Sequence, residues 1–232
     1  MRKALLVFLL FSQLTWALDR QPNSDFRMRR ESLASKANGG VVLLFAANEA
    51  EGPNDLYGYR PDDNSFYLSG WSEPGAALLI IGARSAPDRP YTEILFLPSH
   101  NPSQEKWTGP KLGPENPQAR SLTGFDRVEV LGKMRDDLVS IVPQPRATVY
   151  SDIPTGDQAS ASSDGLAWLR RANAFPNYVS YQDVKPMLGD LRRIKDAGEI
   201  ELIRKATNAS IAGQEAALKA IHPGVTEREI AA

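Results

Sequence analysis

The sequence predicts an α/β fold, a mixed β-sheet with flanking helices, and three observations carry that prediction. The first is Val41-Val42-Leu43-Leu44-Phe45, an apolar run without alternation, which is the pattern of a strand buried on both faces. The second is a series of short apolar runs, Phe66 to Ser69, Ala76 to Ile81 and Thr92 to Leu97. Gly70, Gly75 and the Ala86-Pro87-Asp88-Arg89-Pro90 loop separate them, and strands so closely spaced after a helix point to an antiparallel portion within a mixed sheet. The third is helical patterning on both sides of these runs.

The elements follow in order. Residues 24–37 read as a helix that Ser24 can cap. Phe26, Arg29, Arg30 and Leu33 fall at spacings that separate an apolar from a basic face, and Gly39-Gly40 ends it. After the three central strands, Pro98 to Pro117 reads as a long irregular segment with one large aromatic, Trp107; such segments are usually functional or disordered. A strand from Val128 to Leu131, a helix from Lys133 to Ile141 and a strand from Ala147 to Tyr150 come next. Residues 151–163 read as an exposed loop. A helix then starts at Ser163 or Asp164 and runs through Arg171, and Asp183 to Arg193 reads as a connecting helix or extended linker.

The last region is the most regular. Asp196 caps a helix with Glu199 in its first turn and apolar positions that include Ile200, Ile203, Ile211, Leu218 and Ile221. His222-Pro223-Gly224 stops it, with the imidazole placed to bond the last free carbonyls. Thr226-x-x-Glu229 is a capping box for one more helix. Only three residues follow Glu229, so the expectation is a longer protein, of which this is the N-terminal part.

At the other end, Arg2 and Lys3 precede the apolar run Ala4 to Phe11, and Thr15 and Ala17 are small residues before a possible cut. That order is the layout of a secretory signal peptide. The run is shorter than the about 20 residues of a membrane span; the competing reading is a buried N-terminal helix. The expected division is therefore a signal peptide over 1–17, a first domain over 18–185, and a linker with the start of a second domain over 186–232. The expected location is the periplasm or outside the cell, with no membrane attachment once the signal is removed.

Composition excludes several functions. The chain has 27 basic and 28 acidic residues; without Arg2 and Lys3 it keeps 25 against 28, a net charge of −3. That balance offers no footprint for nucleic acid. The clusters Arg27-Arg29-Arg30, Arg170-Arg171 and Arg192-Arg193-Lys195 read as solvated helix faces. With no cysteine there is no disulfide, thiol catalysis or thiolate metal site.

Catalytic signatures are missing too. There is no phosphate loop, dinucleotide fingerprint or His-Glu-x-x-His. Gly70-Trp71-Ser72-Glu73-Pro74-Gly75 approaches a nucleophile elbow, but its second glycine is one place too far, and it reads as a turn between strands. His100 and His222 are the only histidines, and Asp62-Asp63 and Asp136-Asp137 are adjacent pairs whose side chains diverge. No catalytic residue and no metal ligand is assigned to this chain.

One stretch goes beyond these patterns. It runs Asn54-Asp55-Leu56-Tyr57-Gly58-Tyr59-Arg60-Pro61-Asp62-Asp63-Asn64, then Phe66-Tyr67-Leu68-Ser69-Gly70-Trp71 and Glu73-Pro74. Thr92 to Pro98 and Glu105-Lys106-Trp107-Thr108-Gly109-Pro110-Lys111-Leu112-Gly113 follow. This order resembles the N-terminal domain of the aminopeptidase P (Xaa-Pro aminopeptidase) family. Arg193 to Ile200, Ile203 to Ala206 and Pro223 to Glu227 resemble the opening of that family's pita-bread catalytic domain. Ser65 stands where the family usually has an aromatic and Ser69 where it usually has threonine.

The resemblance implies a creatinase/aminopeptidase P type N-terminal domain and hydrolysis of the bond between a first residue and a following proline. It implies two metal ions, commonly manganese, held by two Asp, one His and two Glu downstream of Glu229, so none is expected on this chain. It further implies a homo-oligomer acting on proline-containing peptides, with Trp107 of the Trp-x-Gly loop and Asn64 as substrate-binding residues. The alternatives are a prolidase-like dipeptidase and a non-catalytic binding or oligomerisation module of the same fold.

Overall fold

The computed structural model describes residues 20–47, 59–82, 91–141, 148–153, 165, 167–168 and 180–231. The 1–17 segment, the 86–90 loop, Asn54 to Gly58 and most of the expected 151–163 loop and 163–171 helix lie outside the described residues. Two units are formed: Pro22–Ile194, and a second that groups Arg20 and Gln21 with the residues from Lys195 on.

The first unit is built on helix α1 (Asn23–Ala37) and six strands. α1 buries Phe26, Arg29, Arg30, Leu33, Ala34 and Ala37, one stripe at helical spacing. The arginines of this helix were expected on a solvated face, and the structure corrects that: only Arg27 is exposed. Arg30 is tolerated inside because its donors are used. Nε meets Glu93 Oε2 at 2.6 Å, and the two terminal nitrogens donate to the Leu68 and Gly124 carbonyls at 2.9 Å each. Arg29 lies against the Phe26 and Tyr67 rings. The expected cap also moves. Pro22 holds the N-cap position, and Ser24 sits in the first turn with its hydroxyl on Asp25. Asn38, left-handed at φ 46°, closes the helix.

β1 (Val41–Phe45), β2 (Ala77–Ile81) and β3 (Thr92–Leu97) pair antiparallel in sequence. β4 (Arg127–Val130) adds parallel to β3; β5 (Thr148–Ser151) adds parallel to β1, and β6 (Ser180–Asp183) parallel to β5. The order is β4-β3-β2-β1-β5-β6, a mixed sheet with the expected antiparallel centre. β1 is indeed buried on both faces. Val42 and Leu44 join Leu78, Ile80, Leu95 and residues of α1, while Val41 and Leu43 join Leu79, Ile81 and Phe96 on the other side. β6 was not anticipated: Ser-Tyr-Gln-Asp is polar and mostly exposed, with little strand signal of its own.

One expected strand is a helix. Phe66 to Ser69 belongs to α2 (Asp63–Ser69). Asp62 accepts the Ser65 N–H at 2.7 Å as N-cap, and Gly70 closes the helix at φ 61°. Ser65, Leu68 and Ser69 are its buried residues, a spacing of three and four that no strand presents to one side. Ser69 Oγ donates to the Ser65 carbonyl and accepts the Trp71 N–H, which fixes the exit from α2. The Gly70–Gly75 segment is a turn, between a helix and a strand.

After β3 come α3 (Pro102–Thr108) and α4 (Ala119–Thr123); α3 lies within the segment expected to be irregular, and α4 starts just after it. A 3₁₀ turn (Leu131–Lys133) leads into α5 (Met134–Ile141). α6 (Lys185–Arg193) follows β6 and packs Leu188 with α1 and α2 on one face of the sheet. Met134 and Leu138 of α5, with Trp168, cover the other face. The layers are helix, sheet, helix.

In the second unit α7 (Ala197–Ala220) starts at a full capping box. Asp196 accepts the Glu199 N–H at 2.7 Å, and Glu199 accepts the Asp196 N–H at 2.9 Å. Gln21 Nε2 donates to the same Asp196 carboxylate. Thr226 and Glu229 form the second expected box before α8 (Glu227–Ala231). His222 Nδ1 sits on the Pro223 carbonyl rather than on the end of α7. Ile200, Ile203, Ile211, Leu218 and Ile221 are all exposed. Among the described residues, no helix is long and apolar enough to cross a membrane.

Candidate functional site

Strand direction decides where the loops gather. β1, β3, β4, β5 and β6 all run the same way and β2 runs opposite. Their carboxyl ends therefore share one edge of the sheet, where β2 begins. In open α/β sheets this is the edge that offers crevices to ligands. The turn before β2, the segment from Pro98 through α3, and Asp152 after β5 all leave from it.

α3 is built by local polar contacts. Asn101 Oδ1 accepts the N–H groups of Ser103 and Gln104 at 3.2 Å each, with Pro102 at the first helical position. Glu105 Oε1 accepts the Asn101 N–H at 3.2 Å and lies 2.5 Å from His100 Nδ1. Gly109 ends the helix at φ 80°, a conformation that favours glycine. No residue of α3 is buried, and Trp107, on its last turn, is 90% exposed. The indole is not an anchor against its own domain.

Between α3 and the Glu73–Gly75 turn lies a cleft of about 230 Å³, lined among others by Glu73, Pro74, His100, Glu105, Lys111 and Leu112. Burial pushes the Glu73 carboxyl above its ordinary range; Lys111 pulls it back and Glu105 adds to the rise. The sequence reading missed this cleft and the His100–Glu105 pair. The usable signal was a histidine five residues before a glutamate across a helix start.

Asn64 lies near the start of α2. Its Oδ1 accepts from Arg192 Nη1 at 2.9 Å and its Nδ2 donates to Asp152 Oδ2 at 3.3 Å. Lys185 Nζ completes the group at 2.7 Å from Asp152 Oδ1. That hydrogen bond raises the Lys185 pKa. Burial raises that of Asp62, partly offset by the N–H of Ser65, and Asp152 raises it further. Asn64 thus ties α2 to α6 and to the end of β5, and it does not line the cleft beside α3.

Among the described residues, no group of three or more His, Asp or Glu side chains could hold a metal ion. His100 is engaged with Glu105, and the pair Asp62-Asp63 diverges, one to the α2 cap and one to Arg60. These residues do not fit a two-metal centre.

Residues 26–150 match the family model described as aminopeptidase P, N-terminal domain. The Xaa-Pro aminopeptidase of Haemophilus influenzae is 29% identical over 216 residues, covering 90% of this chain and 46% of that protein. Human Xaa-Pro aminopeptidase 3 is 27% identical, with 84% of this chain and 38% of that protein covered. The Escherichia coli aminopeptidase P solved with the inhibitor Pro-Leu has the same fold, with a TM-score of 0.72, 24% identity and coverage of 92% of this chain and 48% of its own. The chain spans about half the length, or less, of these relatives. With more than half of its residues inside the family match and that fold around them, the chain belongs to the aminopeptidase P family and carries its N-terminal domain.

Proposed function

We propose that this domain serves a Xaa-Pro aminopeptidase, an enzyme that hydrolyses the bond between an N-terminal residue and a following proline. In this reading the complete protein is a homo-oligomer. Its two metal ions, manganese, are held by residues outside this sequence. The N-terminal domain supports assembly and substrate access, and Trp107 faces a proline-containing peptide at a neighbouring subunit's active site. Residues 1–17 direct export to the periplasm or beyond.

The observation that supports the reading is the exposure of Trp107. A 90% exposed tryptophan on this short helix is a large apolar surface that the described residues leave uncovered. Its flat face suits the pyrrolidine ring of proline. Asn64 enters as the second substrate-side residue, through the Arg192 and Asp152 groups that it orients.

The test is kinetic. In the complete enzyme, Trp107→Ala should lower kcat/KM for Xaa-Pro peptides by about tenfold or more, the equivalent of about 1.4 kcal/mol, and leave the melting temperature nearly unchanged. Asn64→Ala should act mainly on KM. Unchanged kinetics in both variants would remove the substrate role from this domain.

A further inference from the structure

α3 buries none of its residues, so apolar packing does not hold it. A helix of seven residues is also too short to persist alone in water. What holds it is the group of polar contacts at its start. Glu105 is the centre of that group. Its side chain is only 10% exposed, whereas every other residue of α3 is exposed to solvent. One oxygen, Oε1, takes both the Asn101 N–H and the His100 imidazole, and the Glu105 carbonyl receives the closing Gly109 N–H at 3.0 Å.

We propose that the His100–Glu105 pair is the positioning clamp of Trp107. It holds the first turn of α3 at the carboxyl edge of the sheet and so fixes the direction in which the indole, two residues on, faces. Its consequence for catalysis rests on the reading of Trp107 as the peptide-facing residue; its geometry does not.

The clamp responds to pH. An imidazolium against a carboxylate makes a charge-assisted bond, about twice as strong as a neutral one. A neutral imidazole keeps at most an ordinary hydrogen bond from the Nδ1–H tautomer. Histidine is the side chain that changes charge between about pH 5 and 8. Other charged groups face the pair. Glu73 faces the cleft from the turn before β2, and the Glu115 carboxylate lies against Gly113 beside His100. Lys111 lines the same cleft, and Lys106 is exposed on α3 itself. Trp107 is therefore held most firmly at mildly acidic pH and released as pH rises.

The experiment uses this 232-residue chain. Fluorescence anisotropy of Trp107 is obtained as the difference between the chain and its Trp107→Phe variant, between about pH 5 and 8. The expected result is a sigmoidal loss of anisotropy as pH rises. His100→Arg should keep the high value throughout, and His100→Ala the low value throughout. Glu105→Gln, which keeps an acceptor without the charge, should be low and flat. Glu73→Gln should leave the step in place, and far-ultraviolet circular dichroism should show each variant folded. Equal, flat anisotropy in the parent and both His100 variants would overturn the clamp, as would a step that disappears in Glu73→Gln. A clamp that behaves as described beside a kinetically silent Trp107 would uphold it and sink the peptide-facing reading alone.

Discussion

Arg30 and Glu93 meet at 2.6 Å with both side chains wholly removed from solvent. The carboxylate also accepts the Tyr91 hydroxyl at 2.9 Å and the Asp126 N–H at 3.1 Å, and the guanidinium lies 3.9 Å from the centre of the Phe125 ring. The network ties α1 to the end of α2, to β3 and to the loop between α4 and β4. Removing one partner of a buried pair leaves the other charge uncompensated, at a cost of about 3–5 kcal/mol. Glu93→Ala is therefore expected to destabilise the domain by that amount in urea unfolding. Burial and the neighbouring carboxylate also raise the Tyr91 pKa, so the phenol stays protonated and keeps donating to Glu93 throughout the physiological range.

Glu73 sets the opposite sign. Its folded pKa is raised, chiefly by burial, above the ordinary carboxylate value. A raised acid contributes stability that is present below its unfolded pKa and lost as pH climbs through the folded one. At neutral pH the ionised Glu73 thus weakens the fold. Glu73→Gln should raise the melting temperature at pH 7, and the gain should fade as pH falls toward about 4.3, the usual value for glutamate, and be absent below it. A gain that grows on acidification would contradict this.

The edge of the sheet opposite the cleft is closed by two backbones in contact. A Cβ at Gly82 would sit 2.5 Å from the Gly39 nitrogen and 3.0 Å from the Ala34 carbonyl oxygen. Main chain cannot yield as a flexible side chain can. Gly82→Ala should cost about 1–3 kcal/mol in denaturant titration. Gly132, with open space around it, is the control.

Export supplies a test of the proposed location. When the protein is expressed with its own N-terminus, sequencing of the exported form should begin at Leu18. A mature chain that still begins at Met1 would mean that the basic and apolar start has another use.

Much of this domain was legible in the sequence because the signals were local or strongly periodic. Val41–Phe45, too apolar for a half-exposed strand, lies at the middle of the sheet. Thr92–Leu97 has the expected bounds, and both C-terminal capping boxes form as their spacing dictates. The Phe66–Ser69 error was also local: a short apolar run has no decisive period, and Asp62 and Gly70 as caps were the overlooked sign.

The family was within reach of the sequence, because residue order and spacing are read along a line. Arg30 inside and the clamp on α3 were not. An arginine belongs in a core only if the donors find acceptors, and those acceptors, Glu93, Leu68 and Gly124, are 38 to 94 residues away. His100 and Glu105 carry no joint signal along the chain; β3 delivers them to the edge where the Glu73 turn lines the same cleft. The sequence by itself determined which segments become helix or strand wherever caps and periodicity were unambiguous. Only the tertiary structure decided which charges are buried and which side chain holds Trp107, because burial and pairing depend on what the sheet brings together.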